Sequence, residues 1–216
     1  LAQISQVLQK EDISLIEELL SQKNEQIHQQ MRQLKAQHNA VERAILSIER
    51  YRKSPATGTL SLEYIDRRFS WGIPCSSNFY SDGIHSYESV LRELRRQLED
   101  RGFAQIHSYN IGTTIAQEDF AAGRFLAKDI FIFLSRREEG GLTAGQTVES
   151  GMYACVYLDN YDDEISCAKE LREYCLRNNY QISGDYICEV MTGFNVFDND
   201  PRSMFLRLQV PVTFQK

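Results

Sequence analysis

From Ile13 to about Tyr51 the chain contains neither glycine nor proline, and its apolar side chains recur on a seven-residue rhythm. Ile27, Met31, Leu34, His38, Val41, Ile45 and Ile48 are spaced alternately by four and three residues, and the register runs back through Asn24 and Leu20. A seam of this kind, sustained over about three to four heptads, is the pattern of a coiled coil. The helix would span on the order of 55–60 Å. One helix cannot bury so narrow a stripe by itself, so the pattern predicts a homodimer through residues 13–53. Two polar residues, Asn24 and His38, lie on the seam. They act either as register-setting residues or, for His38, as a pH or metal switch. The segment "KSPATGTL" ends the helix, because Pro55 and Gly58 break it and Ser54 precedes the proline.

Beyond the helix the composition is that of a globular domain. The 216 residues are 25% charged and 42% hydrophobic, enough for one core plus an appendage. The net charge of −6 does not advertise contact with nucleic acid. No apolar run reaches the ~18 residues of a membrane span and no signal peptide opens the chain, so no membrane partner is expected. Five cysteines without a CxxC pair read as reduced thiols in a cytoplasmic protein. The first residue is Leu, and the chain is taken as a fragment.

The region 54–216 reads as a duplicated β-α-β-β unit, with repeats at about 59–135 and 146–214. "TLSLEYIDRRF" and "QTVESGMYACVYL" are the first strands, and "SYESVLRELRRQLEDRGF" and "DEISCAKELREYCLRNNY" the helices. The pairs "QIHSYNIGTTIA"/"DIFIFLS" and "GDYICEVMTGF"/"MFLRLQVPV" complete the two copies. Both helices end on a residue suited to a helix C-terminus, followed by an aromatic. The expected fold is α+β: a long N-terminal coiled-coil helix, then an antiparallel sheet with helices on one face and a cleft where the halves meet.

The chain is poor in recognisable chemistry. "EEGGLTAGQT" lacks the lysine and the strand-to-helix setting of a phosphate loop. The four histidines show no metal-ligand spacing, and no cofactor is implied. Of the cysteines only Cys75, on a loop in "WGIPCSSNFY", is a candidate reactive thiol. What stands out is aromatic density around few polar groups. Trp71, Phe79, Tyr80, Tyr153, Tyr157, Tyr186 and Phe194 fall on elements that the duplication brings toward the central cleft. The strand "GDYICEV" adds one carboxylate, Glu189, on the face of Ile187 and Met191 and opposite that of Tyr186 and Cys188. That carboxylate either pairs with a neighbour such as Arg207 or meets a cation from outside. Ring faces and an acid together make a receptor for a lipophilic cation, and the second reading is preferred. It carries an expectation that Glu189→Gln abolishes binding with little loss of folding. An enzymatic alternative uses Glu189 as a general base near Trp71 and Tyr153 in a small hydrolase of reactive electrophiles.

"LAQISQVLQKED" followed by the heptad helix resembles the end of the DNA-binding domain and the dimerisation helix of MerR-family transcriptional regulators. "GDYICEV", "ESGMYACVYL" and "MFLRLQVPV" resemble the GyrI-like effector-binding domain that such regulators carry. The resemblance implies that residues 1–12 are the remnant of a DNA-binding domain, through which promoter DNA and RNA polymerase are engaged. It implies a non-enzymatic regulator whose effector alters dimer geometry and thereby the shape of the promoter. It places the ligand-binding acid at Glu189, one residue further from Gly184 than the common form of the motif, with a bulge available to absorb the difference. Tyr153 matches the aromatic after the glycine of "SGMYA", and the absence of cysteine before Cys75 speaks against metal sensing.

Overall fold

The structure, a computed structural model, describes residues 13–103, 110–139, 141–192 and 203–214. The expected remnant at 1–12 and the candidate Phe194 lie outside the described residues. Helix α1 (Ile13–Lys53) runs unbroken for 41 residues and ends on Arg50, Arg52 and Lys53, cations that suit the negative end of a helix. No helix among the described residues is long and apolar enough to cross a membrane.

The chain divides into two compact units, 1–42 and 43–216. In the first, the seam residues Ile27, Met31, Leu34 and Val41 of the single chain are 44–64% exposed. In the second, the last turns of α1 are anchored to the sheet. The Ser47 hydroxyl donates to the Met191 carbonyl, and Tyr51 meets Phe205 edge-on at 4.6 Å.

The second unit continues with β1 (Leu60–Ile65), β2 (Arg68–Pro74), α2 (Phe79–Asp82), α3 (Ile84–Asp100), β3 (Ile111–Ile115), α4 (Gln117–Ala121) and β4 (Ala127–Leu134). A small ribbon follows, β5 (Glu138–Glu139) paired with β6 (Leu142–Thr143). Then come β7 (Gln146–Val148), β8 (Gly151–Asn160), a 3-10 turn (Tyr161–Asp163), α5 (Glu164–Arg177), β9 (Tyr180–Ile182), β10 (Tyr186–Thr192) and β11 (Ser203–Phe214). The main sheet runs β1-β8-β11-β10-β3-β4-β2-β7, with β9 added against β11, and each of its pairs is antiparallel. Its centre is the β3–β10 pair, and the order outward is the same on both sides.

Two of the expected strands are each divided in the structure. "TLSLEYIDRRF" is not one strand but parts of two, because at Asp66-Arg67 the chain leaves β8, the partner of β1, and continues as β2 against β4 and β7. "QTVESGMYACVYL" breaks likewise at Glu149-Ser150 into β7 and β8. The strands β1 and β7, each preceding one copy, cross over to the edge of the other copy, β1 on β8 and β7 on β2. Each half thereby completes the other's sheet. The two long helices end alike, with Gly102 (φ +76°) and Asn179 (φ +54°) in the left-handed conformation.

Register assigns every strand residue to a face. Helices α3 and α5 cover the face that carries Ile130, Ile132, Val156, Tyr186, Cys188 and Leu208, and α3 adds Val90, Leu94 and Leu98 to its core. The opposite face carries Phe131, Tyr153, Cys155, Ile187, Glu189 and Arg207, and the end of α1 packs on part of it.

Candidate functional site

Glu189 sits on the helix-free face, 1% exposed, and is already occupied. Its Oε2 accepts from Arg68 Nη1 (2.7 Å), Arg207 Nη2 (2.7 Å) and Gln209 Nε2 (3.0 Å), and its Oε1 accepts from Asn110 Nδ2 (3.0 Å). Arg207 lies directly opposite on β11, while Arg68 reaches across from β2 in the other half. Arg68 also donates to Gln209 Oε1 (2.8 Å) and lies 4.5 Å over the Phe133 ring. Burial opposes charge on all three ionic groups. For Glu189 the attraction of Arg207 and Arg68 outweighs it, and the carboxyl is held well below the usual carboxylate range. Arg207 is likewise held above its ordinary value by Glu189, whereas for Arg68 burial and the nearby Arg207 prevail and lower it.

The expectation that Glu189 waits for an external cation therefore meets a carboxylate shared between two guanidinium groups. The expected bulge also falls elsewhere. β10 pairs regularly from Ile187 through Val190 and shifts register only between Val190 and Thr192, after the acid. The extra residue is not absorbed, and Glu189 faces away from Tyr186 and Cys188.

The seven expected site residues that the structure describes are thus split by the sheet. Glu189, Tyr153 and Tyr157 share the helix-free face. Tyr153 donates to the Glu149 carbonyl (2.7 Å), and Tyr157 donates to Glu63 Oε2 (2.9 Å) while stacking on Phe205. Trp71, Phe79, Tyr80 and Tyr186 belong to the helix-covered side. Trp71 holds a cation of its own chain there, Arg101, 4.8 Å from its ring. Because Trp71 and Glu189 lie on opposite faces, the arrangement imagined for a hydrolase does not form. The base would also be an acid too strong to take up a proton near neutral pH. Cys75 is half-buried, and its thiol is pushed up to about 12 by burial and by Asp129, the reverse of an activated thiolate. Among the described residues no three of His, Cys, Asp and Glu gather at metal-binding distance.

The helix-covered side holds a carboxylate that sequence reasoning missed. Glu164, the first residue of α5, is 2% exposed. Its Oε1 accepts from Tyr80 (2.8 Å) and Tyr186 (3.1 Å), and the Cys188 thiol is also within reach. Burial raises its pKa, and the three donors only partly offset this. No cationic group is among those that shift it. Around this acid stand Phe79 (4.7 Å from Tyr80, ring to ring), Phe120 stacked on Tyr186 at 4.7 Å, and Tyr161. The adjoining cavity, lined by Thr113, Tyr161 and Cys188, measures only about 10 Å³, so the site is filled by its own side chains. In sequence Glu164 follows Asp162 and Asp163 and reads as ordinary helix N-terminal charge. Nothing local marks it as buried.

Two larger cavities open on the helix-free face, of about 310 and 410 Å³. Strand β4 gives Phe133 to the first and Phe131 to the second, and β10 gives Glu189 and Ile187 respectively. The two therefore lie end to end along the strands. The second also receives Tyr153, Val148 and Pro211.

These features define a class: an α+β domain with a pseudo-symmetric antiparallel sheet, joined to a long seam-bearing helix. The chain shares the fold of the EcmrR C-terminal domain, with a TM-score of 0.51 at 13% identity over 73% of this chain and 98% of that one. An EcmrR–DNA complex structure aligns at TM-score 0.48, with 14% identity over 99% of this chain and 82% of that one. A bacterial transcription regulation protein from Staphylococcus aureus MU50 aligns at 0.37, with 12% identity over 71% and 97%. No protein-family model and no curated protein matches the chain.

Proposed function

We propose that the chain is the dimerisation and effector-binding portion of a MerR-type transcriptional regulator with a GyrI-like domain, a binding protein rather than an enzyme. Its effector is a lipophilic cation, and it acts in the cytoplasm. The exposed heptad seam supports a homodimer, since a coiled-coil stripe left open to water needs a second helix. The fold shared with the EcmrR C-terminal domain supports the regulatory class. Promoter DNA and RNA polymerase would be engaged through a DNA-binding domain outside the described residues.

One observation carries the choice of effector: the Glu164 carboxylate is buried among Tyr80, Tyr186 and Phe79 with no cation of the described chain beside it. This is the pairing of acid and ring faces sought in the sequence, assembled around a different acid. An isolated buried carboxylate is costly when charged, and an incoming cation removes that cost. Tyr80 belongs to the four-residue α2, the shortest α-helix of the domain's described part, so a ligand gains Glu164 by displacing Tyr80.

Titration with a planar aromatic cation such as ethidium, followed by fluorescence anisotropy, tests the reading. The chain is expected to bind it at micromolar concentration, and Glu164→Gln to weaken it by about tenfold or more. Affinity should also rise with pH. Glu164 has a raised pKa, so it is protonated and a poor partner at low pH, and it ionises only above the ordinary carboxylate range. Equal affinity in Glu164→Gln would remove Glu164 from the site, and absence of ethidium binding would remove the effector reading itself.

A further inference from the structure

The 310 Å³ cavity has a different chemistry from the Glu164 site and lies on the opposite face of the sheet. Its charged lining consists of four guanidinium groups, Arg43, Arg50, Arg67 and Arg68, against two carboxylates, Asp66 and Glu189. The second carboxylate is spent: four donors saturate Glu189, and two of them are arginines. Arg68, in the cavity lining, thus shares one negative charge with Arg207, which is outside the lining, and the Nε of each is buried without a hydrogen-bond partner among the described residues. Arg43 pairs with Glu139 at 3.3 Å. Arg50 and Arg67 stand exposed at the rim, as does Asp66. Leu46, half-exposed, and the Phe133 ring supply apolar wall.

We infer that this cavity is a binding site for a small aromatic carboxylate. The anionic end replaces the missing charge beside Arg68, Arg67 and Arg50, where charge-assisted hydrogen bonds to guanidinium forks are strongest. The ring lies against Phe133 and Leu46. The volume is at the small end of the range of ligand pockets, roughly 300–1,000 Å³, which suits a single-ring acid. A cation is disfavoured here, since arginines outnumber carboxylates in the lining by four to two and Glu189 is already paired. Inorganic phosphate would satisfy the charge but leave the apolar wall wet. The site also has a consequence for signalling. Arg43 and Arg50 belong to the last turns of α1, and Arg67 and Arg68 to the β1–β2 junction and the start of β2. A bound carboxylate ties the end of the dimerisation helix to the sheet, independently of the Glu164 site.

Isothermal titration calorimetry of the chain with benzoate, benzamide, benzylammonium and inorganic phosphate tests the inference. Benzoate should bind, with benzamide, its neutral isostere, at least about tenfold weaker. The Arg50→Gln/Arg67→Gln double variant alters two exposed rim residues and should lose about tenfold in benzoate affinity without a change in thermal unfolding. Leu46→Glu, which sets a negative charge at the mouth, should abolish benzoate binding. Benzamide binding as well as benzoate, an unaltered double variant, or no benzoate heat at about 10 mM would each overturn the inference. Phosphate competing with benzoate at equal affinity would reduce the site to an oxyanion patch and overturn the aromatic assignment. Ethidium affinity measured with and without benzoate reports the Glu164 site separately, so failure of one site is not read as failure of the other.

Discussion

Replacing Glu189 by glutamine is expected to destabilise the second unit by roughly 3–5 kcal/mol, the usual consequence of removing one partner from a buried ionic cluster. The amide is nearly isosteric, but it presents two N–H donors where Arg68, Arg207, Gln209 and Asn110 all donate. Two guanidinium groups, only 16% and 12% exposed, would be left without a counter-charge. For a unit of this size that loss corresponds to a fall in Tm of roughly 6–20 °C. The pH dependence has a fixed sign. Glu189 has a folded pKa depressed below its ordinary value of 4.5, so its stabilisation is present above that value and is lost as pH falls below it. Wild-type stability should drop through that acid window, and the variant should lack this component. Denaturant unfolding at pH 7 and at about pH 4 measures both effects. A triple variant with Glu189→Leu, Arg68→Met and Arg207→Met should recover much of the loss, because an apolar replacement of a whole buried cluster is often tolerated. Full stability of Glu189→Gln at pH 7 would show that the arginines find other counter-charges. The sequence expectation that this substitution spares folding is thereby replaced by its opposite.

Why Glu189 looked like a ligand residue, and Glu164 did not, follows from the range over which each environment is assembled. Arg207 was visible as a neighbour because β10 and β11 are close in the chain and pair in register. Arg68 was not, because it comes from 121 residues away and its approach requires the half-to-half crossover of the sheet. No local pattern encodes that. Glu164 has the same problem in reverse. Its helix-start position predicts a solvated charge, and only the packing of α5 on β8 and β11, with Tyr186 of β10 and Tyr80 of α2 donating to the carboxylate, turns it inward. Local rules did succeed where structure is local. The gap-free heptad register gave α1, and terminal Gly102 and Asn179 gave the ends of α3 and α5. The errors at Asp66-Arg67 and Glu149-Ser150 arose where a strand changes partners from one half to the other without proline or glycine at the break, so no local signal marks it. The aromatic content was legible, but a period-two strand sends neighbours to opposite faces. The seven candidates therefore could not all share one cleft.

Gly72→Ala is expected to cost about 3 kcal/mol, for a reason that lies at the centre of the helix-free face. Phe131 stands between two glycines, Gly72 on β2 and Gly112 on β3, each directly opposite it in register. A methyl group built on Gly72 would lie 2.3 Å from both the Ile130 carbonyl oxygen and the Phe131 Cβ. Those atoms are backbone or fixed to it, so relief requires β2 and β4 to separate. A methyl group on Gly112 would instead meet the far edge of the Phe131 ring at 2.5 Å, and a ring can swing aside. Gly112→Ala should therefore cost only about 1 kcal/mol. The difference predicts Tm losses of roughly 6–12 °C for Gly72→Ala and 2–4 °C for Gly112→Ala. Both substitutions disturb the Phe131–Phe133 contact, whose rings meet edge to face at 5.0 Å, and Phe133 in turn supports Arg68. Benzoate binding should consequently weaken in Gly112→Ala even though the domain stays folded, while ethidium binding at Glu164, across the sheet, stays unchanged. Equal destabilisation by the two alanines would mean that β2 and β4 yield as easily as a ring. The inference that Phe131 firmly backs Phe133, the apolar wall of the anion cavity, would then be wrong.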